Sequence, residues 1–374
     1  MGHFDRIGGR RPKIGSLNPQ QFARYRRQLI LDQIGVGGQL ALTRSRVLVI
    51  GTGGLGAPAL LYLVAAGVGQ IVLVDFDTVD ESNLHRQILF AEQDIGRAKT
   101  LASQERLGAL NSDVEIVVIE ERLSDDNARS IIRDCDVVVD GTDNFRARYA
   151  INDAAVAAGI PIVSASVMQF EAQLSVLDPA AGGPCYRCLY PNAPPPDLAP
   201  SCAEAGVVGV LPGIIGCLQA NEVIKLICGF GRPMIGRLLT FEATETTFRE
   251  FAIRRRMDCP CCAEVQPRLP RETHREVTEI SCAELRELLG ENRALTLLDV
   301  RDENERIYRI AASQGIPLSE IIDRLAEIPK DRAIICICQK GKRSHLAAQI
   351  LMSAGFTEVY SVKGGMDEWG RRNA

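Results

Sequence analysis

Chemistry in this chain is to be sought first at its cysteines, its glycine-rich turns and the cations that follow them. Cys185 and Cys188 form one Cys-x-x-Cys pair, and Cys259 and Cys262 form another well downstream. Two such pairs can supply four thiolates to one tetrahedral Zn²⁺, closed to substrate and therefore structural. Cys261 stands between the members of the second pair, so the choice of Cys262 over it rests on spacing. Cys338 belongs to a different pattern. It ends the apolar run AIICIC, and Gln339-Lys340-Gly341-Lys342-Arg343 separates it from Ser344 at the start of a helical stretch. A strand, loop and helix in that order curl backbone N–H groups around the sulfur and add the positive end of a helix. With Lys340, Lys342 and Arg343 nearby, a thiolate or an anionic persulfide is the expected cargo. Cys336 reads as packed and His345 as helix surface. Cys202, in PSCAEAG, has no paired cysteine, while Cys217 and Cys228 lie on apolar helical runs and read as core.

The glycine turn GTGGLG follows the strand-like run VLVI and opens the helical stretch APALLYLVAAG. Gly51, Gly53 and Gly56 let the backbone turn tightly and a phosphate approach the helix N-terminus. Asp75 closes the next apolar run at the distance where a carboxylate meets a ribose hydroxyl. An NAD-dependent oxidoreductase would share these features. Asn83 and Arg86 in SNLHRQ and Lys99 in GRAKT add a polar group and two cations near the phosphates. A triphosphate losing pyrophosphate needs them, because the developing charge must be neutralised in place. GTDN then delivers Asp143 and Asn144 to the carboxyl edge of the sheet, where open α/β sheets bind ligands. Asp143 is placed there to hold Mg²⁺ on the phosphates.

The elements that position these residues are short β-branched runs alternating with amphipathic stretches: VLVI, IVLVD, VEIVVIE, VVVDGTD and IPIVSASV. This is the pattern of a doubly wound, mostly parallel α/β sheet, a Rossmann-like domain over residues 16–266. A polar, proline-bearing segment, 267–277, reads as a linker. Strands and helices alternate again over 278–374, in a length suited to one small α/β domain. The proline-rich stretch YPNAPPPDLAP reads as an irregular excursion. With 43 Lys+Arg against 47 Asp+Glu and 46 % apolar residues, the 374-residue chain is neither a disordered protein nor a basic nucleic-acid binder. Twelve cysteines, several of them in Cys-x-x-Cys pairs, fit metal or thiol chemistry in a reducing compartment, and MGHFDRIGGRRPKIGS has no apolar core for export. The uncharged runs 47–74 and 205–221 are broken by Gly and Pro and read as core, not membrane spans. A cytoplasmic enzyme is expected.

RYRRQL (24–29), GTGGLG, VDFD, SNLHRQ, GRAKT and GTDN together resemble the ubiquitin-activating-like adenylyltransferases of sulfur-carrier proteins, the ThiF/MoeB family, over roughly residues 20–265. The resemblance implies ATP-dependent adenylation of the C-terminal Gly-Gly carboxylate of a small ubiquitin-like carrier. By position it puts Gly54 and Asp75 on the nucleotide, Arg86 and Lys99 on the phosphates and Asp143 on Mg²⁺. Arg27 matches an arginine that such homodimers supply to the neighbouring protomer's site. The family's four-cysteine zinc site supports Cys262 over Cys261, and Cys202 matches a cysteine that attacks the carrier's acyl group.

The C-terminal block resembles a rhodanese domain from EISCAEL through LLDVRD and the Cys338 loop to VYSVKGGMDEW. Its loop is one residue shorter than a Cys-x5-Arg phosphatase signature, which implies sulfur as cargo, taken from a persulfide or thiosulfate donor. Asp299 and Arg301 match the rhodanese pattern. After Glu305, however, Arg306-Ile307-Tyr308-Arg309-Ile310 replaces the usual aromatic residue and Gly-His-Ile. The readings that compete with adenylation and sulfur transfer are an NAD-dependent oxidoreductase with a thiol-sensing tail, a non-catalytic carrier-binding module, and isopeptide-forming activation with a Cys202 thioester.

Overall fold

The computed structural model of the chain describes residues 17–192, 206–266, 268, 277–291 and 294–371. Cys202 and nearly all of the expected linker lie outside the described residues. Two compact units emerge, one around Leu42–Arg271 and one combining Ile14–Ala41 with Glu272–Ala374.

The first unit is an eight-stranded sheet. β1 (Arg46–Ile50), β2 (Gln70–Val74), β3 (Glu115–Ile119), β4 (Val137–Asp140) and β5 (Ile162–Met168) run parallel, and β6 (Glu171–Leu177), β7 (Arg237–Glu242) and β8 (Thr247–Ala252) extend them antiparallel, in the order β3-β2-β1-β4-β5-β6-β7-β8. Every residue of β1, β2 and β4 is buried, as strands covered on both faces require. The three antiparallel strands have no counterpart among the expected runs. β6 is mostly buried, β7 half-buried and β8 mostly exposed, and all three mix polar with apolar residues, so none carries a continuous apolar run.

Crossover helices cover the sheet: α3 (Gly56–Ala66), α4 (Lys99–Leu110), α5 (Ala128–Ile132), α6 (Phe145–Ala158), the short α7 (Tyr186–Leu189) and α8 (Val210–Cys228). Among the described helices α8 alone is long and apolar enough to cross a membrane. Its place is in the core. It packs on α3, β5 and β6, and its buried Gln219 donates to the carbonyl oxygens of Asp140 (2.8 Å) and Val163 (3.1 Å). Cys228 is buried on it, which pushes its thiol up to about 12, and Cys217 is half-buried.

The second unit holds β9 (Thr278–Ile280), β10 (Leu295–Asp299), β11 (Gln314–Gly315), β12 (Ala333–Ile337) and β13 (Val359–Val362), paired in parallel in the order β11-β10-β12-β13-β9. α9 (Cys282–Gly290) begins with a Ser281–Glu284 capping box, and α10 (Lys342–Ser353) and α11 (Gly365–Arg371) complete it.

Residues 14–41 fall within this second unit, whereas the sequence pattern groups them with the first sheet. α1 (Pro19–Leu29) starts at an Asn18–Gln21 capping box and buries Phe22, Tyr25 and Leu29 at helical spacing. Those side chains, with Leu17 and with Val36 and Leu40 of α2 (Gly35–Arg44), share one core with Leu298, Ile334, Leu346 and Ile350. The Val36 N–H donates to Gln349 Oε1 at 3.1 Å. Periodicity reveals an apolar face; it carries no information about which face it meets. Phe22→Ala is expected to destabilise the second unit by about 3–5 kcal/mol, seen as faster amide hydrogen exchange across β12 and α10 with β1 and β2 unchanged. Unchanged exchange in β12 would refute the shared core.

Candidate functional site

In the first unit, β1 leads to β2 on one side while β4 lies on the other, so a crevice opens between the carboxyl ends of β1 and β4. Two Gly-Thr turns line it. Gly51 has φ +86°, and a Cβ there would stand 3.0 Å from the Gly141 carbonyl oxygen, so the two turns approach backbone to backbone. Each turn is tied by its threonine to an aspartate. The Thr52 N–H and hydroxyl both donate to Asp75 Oδ2 at 2.8 Å, and the Asp77 N–H donates to Oδ1 at 3.0 Å. The Thr142 N–H (3.0 Å) and hydroxyl (2.7 Å) donate to Asp140 Oδ1.

Asp75 therefore shapes the glycine turn, with its carboxylate buried and engaged on both oxygens. Asp140 does the same for the second turn and is absent from the sequence-derived set. A strand-terminal aspartate followed by Gly-Thr was its only signal.

The α3 N-terminus beyond Gly51, Gly53 and Gly56 has no side-chain cap at Leu55; within its first turn the Ala57 N–H donates to the Gly53 carbonyl oxygen at 2.9 Å and Pro58 carries no N–H. Gly54 lies between Pro212 and Arg86: a Cβ would meet Pro212 carbons at 3.0 Å and Arg86 Cγ at 3.5 Å. Arg86 donates to the Ser82 carbonyl oxygen at 3.0 Å, and Asn83 is half-buried beside it. Gln87, which the motif reading passed over, is 5 % exposed; its Oε1 is buried without a partner and its Nε2 faces Gly53. Lys99 is buried, with Nζ 3.4 Å from Asp77 Oδ2. Asp143 is exposed after β4, and Asn144 caps α6 by accepting from the Ala147 N–H at 2.9 Å. Arg27 lies on the exposed side of α1, in the second unit.

The four paired cysteines converge. Their sulfurs all lie within 4.8 Å of one another, and all four residues are buried. The separations Cys185–Cys188 (3.8 Å), Cys185–Cys259 (3.6 Å) and Cys188–Cys262 (3.4 Å) are close to the roughly 3.8 Å edge of a tetrahedron with 2.3 Å Zn–S bonds. Burial pushes the Cys188 and Cys262 thiols up. Four thiolates in such a place need a cation, and the donor set is compatible with zinc. Cys261 borders the cluster without being one of the four, with Sγ 3.4 Å from Asp153 Oδ1 and 3.3 Å from Asn152 Nδ2.

Cys338 follows β12 and is 1 % exposed. The Gly341 N–H donates to its sulfur at 3.2 Å, and Ser344 Oγ lies 3.5 Å away. Gly341 adopts φ +93°, the left-handed turn that swings its N–H back over the sulfur. The N-terminal amides of α11 hold the loop from behind, Met366 donating to the Cys338 carbonyl oxygen (2.8 Å) and Asp367 to that of Gln339 (3.0 Å). Lys340 and Lys342 are exposed. Arg343, grouped with them in the sequence, is paired: Glu305 accepts from it at 2.5 and 2.8 Å, and Asp302 Oδ2 lies at 3.7 Å. That guanidinium holds the Glu305 carboxyl down at about 2. Cys336 is fully buried and His345 faces Glu279 at 3.4 Å.

Residues 25–261 match the ThiF family. The chain belongs to that family. Residues 281–372 match the rhodanese-like domain. The probable adenylyltransferase/sulfurtransferase MoeZ of Mycobacterium tuberculosis is 41 % identical, over 96 % of this chain and 95 % of its own. The adenylyltransferase and sulfurtransferase MOCS3 of Aedes aegypti is 39 % identical, over 95 % and 88 %. A sulfur carrier protein adenylyltransferase of Thermus thermophilus is 48 % identical, over 66 % of this chain and 92 % of its own. Among solved structures, E. coli MccB shares the fold at a TM-score of 0.58 and 23 % identity, covering 68 % of this chain and 77 % of MccB. ThiF membership implies ATP binding.

Cys262→Ser should lower the zinc retained per chain after dialysis, by elemental analysis, whereas Cys261→Ser should leave it unchanged; the reverse result would reassign the fourth ligand. The Glu305–Arg343 pair stabilises the fold above the ordinary glutamate pKa of about 4.3 and loses that contribution as pH falls toward 2. Glu305→Gln and the unaltered chain should accordingly differ in thermal stability at pH 7 and converge near pH 2; a constant difference would refute the pairing.

Proposed function

We propose that this chain adenylates the C-terminal glycine of a small ubiquitin-like sulfur carrier and then converts the activated carboxyl to a thiocarboxylate. The observation that carries this reading is the Gly341 N–H on a buried Cys338 sulfur in a chain whose other unit is a ThiF crevice. One site suits an anionic sulfur and the other an activated carboxylate.

In this reading ATP lies with its phosphates over the turn Gly51–Gly56 and the α3 N-terminus, and its ribose toward Asp75 and Gly54. A carrier carboxylate oxygen attacks the α-phosphorus, and pyrophosphate leaves. Arg86 and Lys99, with Asn83, neutralise the charge that develops. Asp143 would hold Mg²⁺, which supplies further neutralisation on the phosphates; Asn144 fixes the turn that carries it. Arg27, on the exposed face of α1, is available to the neighbouring protomer of a homodimer. The Cys185, Cys188, Cys259 and Cys262 cluster holds structural zinc.

A persulfide or thiosulfate donor leaves its outer sulfur on Cys338. That terminal sulfur attacks the acyl carbon, the carbon–oxygen bond to phosphate breaks, and AMP leaves an acyl disulfide. The Cys202 thiolate attacks the Cys338 sulfur, which frees the carrier thiocarboxylate and leaves a Cys202–Cys338 disulfide for a thiol reductant. The setting is cytoplasmic, and the thiocarboxylate serves a sulfur-requiring route such as molybdenum cofactor biosynthesis. An oxidoreductase has no task for Arg86 and Lys99, and a docking module has none for the Cys338 cradle.

Incubation with ATP, Mg²⁺, thiosulfate and a panel of Gly-Gly-ending carriers should raise one carrier's intact mass by the replacement of oxygen with sulfur. Cys338→Ser should abolish that gain and keep ATP–pyrophosphate exchange, while Arg86→Ala should lower exchange by about 100-fold. Exchange lost in Cys338→Ser, or absent with every carrier, would refute the two-step reading.

A further inference from the structure

Ile307 and Tyr308 are 82 % and 81 % exposed. Among the described residues neither side chain belongs to a hydrophobic cluster of the second unit, yet the loop that bears them is held from three sides. Arg301, 2 % exposed and paired with Asp299 at 2.7 Å, donates to the carbonyl oxygens of Glu305 (3.1 Å) and Tyr308 (2.7 Å). Glu305 is clamped to Arg343 of the sulfur loop. Arg306 is buried against Gly315, where its guanidinium fills the space a Cβ would need.

The same Arg301 also donates to Gln339 Oε1 at 3.3 Å, the side chain next to Cys338. One buried guanidinium therefore locks an apolar pair in register with the nucleophile's loop. A rigid loop that presents large apolar side chains to water is a feature of surfaces that bind rather than surfaces that fold.

We infer that Ile307 and Tyr308 are the seat on which the carrier protein rests when its tail reaches Cys338. The inference builds on the carrier reading above. The Cys338 sulfur is almost fully buried, so only a slim extended end can reach it, and a Gly-Gly terminus has no side chains to obstruct it. The body of the protein behind such a tail must then rest on the rim. Arg309, Lys340 and Lys342 are exposed around that rim and complement the anionic phosphate of an acyl-adenylate. A small donor such as thiosulfate needs no such seat.

The test uses the full chain, persulfidated at Cys338 with labelled thiosulfate and mixed with a Gly-Gly-ending ubiquitin-like protein that supports ATP–pyrophosphate exchange. Tyr308→Ala and Ile307→Asp should slow single-turnover sulfur transfer to that carrier by about tenfold or more, and Tyr308→Phe should restore most of it. Thiosulfate-to-cyanide transfer and ATP–pyrophosphate exchange should stay within about twofold of the unaltered chain, which separates seating from chemistry. Unchanged transfer to the carrier would overturn the inference. So would an effect confined to loading from a protein persulfide, since the seat would then belong to the donor. Absence of exchange in the unaltered chain would instead refute the carrier reading on which this rests.

Discussion

Parallel strands can be joined only by crossovers, so every strand of such a sheet ends on the same edge and hands its chain to a helix there. Both reactive regions of this protein follow from that constraint. β1 and β4 end side by side and place two Gly-Thr turns against each other, close enough that a Cβ at Gly51 or Gly141 would crowd a backbone oxygen at 3.0 Å. β12 ends in Cys338, and the helix that follows brings the Gly341 N–H to its sulfur. In each case the chain passes from strand to helix through a tight turn held by its own hydrogen bonds.

Charge around these turns is distributed by pairing more than by number. Asp75 and Asp140 are buried carboxylates, and each spends its acceptors on the N–H and hydroxyl of a threonine, so each acts as a brace for a turn. Lys99 stands against Asp77, and Arg343 against Glu305. The exposed cations of the sulfur loop are thus Lys340 and Lys342, while Arg343 serves to anchor the rim. Buried thiols obey a similar rule. Cys336 and Cys228 are buried, and burial disfavours their ionisation. The four clustered cysteines face one another, in the one arrangement where a cation makes four thiolates tolerable.

The opening segment shows how little of a helix's role its own pattern contains. Phe22, Tyr25 and Leu29 make an unambiguous apolar stripe, and Asn18 with Gln21 caps it. The stripe meets the core built by β10, β12 and α10, more than 250 residues away in sequence, as the hydrogen bond from Val36 to Gln349, 313 residues apart, makes plain. The ThiF match begins at residue 25, inside that helix, so family boundary and packing boundary differ.

What the sequence alone determined was local and periodic: the parallel strands from their uninterrupted β-branched runs, the glycine turns from their spacing, the thiol pairs from theirs, and the strand–loop–helix around Cys338. Those features depend on neighbours in the chain, where propensity and spacing act directly. Only the tertiary structure decided which of Cys261 and Cys262 joins the other three thiols, that Asp140 mirrors Asp75, that Arg343 is paired with Glu305, and that Ile307 and Tyr308 are exposed on a loop that Arg301 ties to the residue after Cys338. These are contacts between residues brought together by the sheet order, and a side chain's partner across a fold is set by packing that no local pattern encodes.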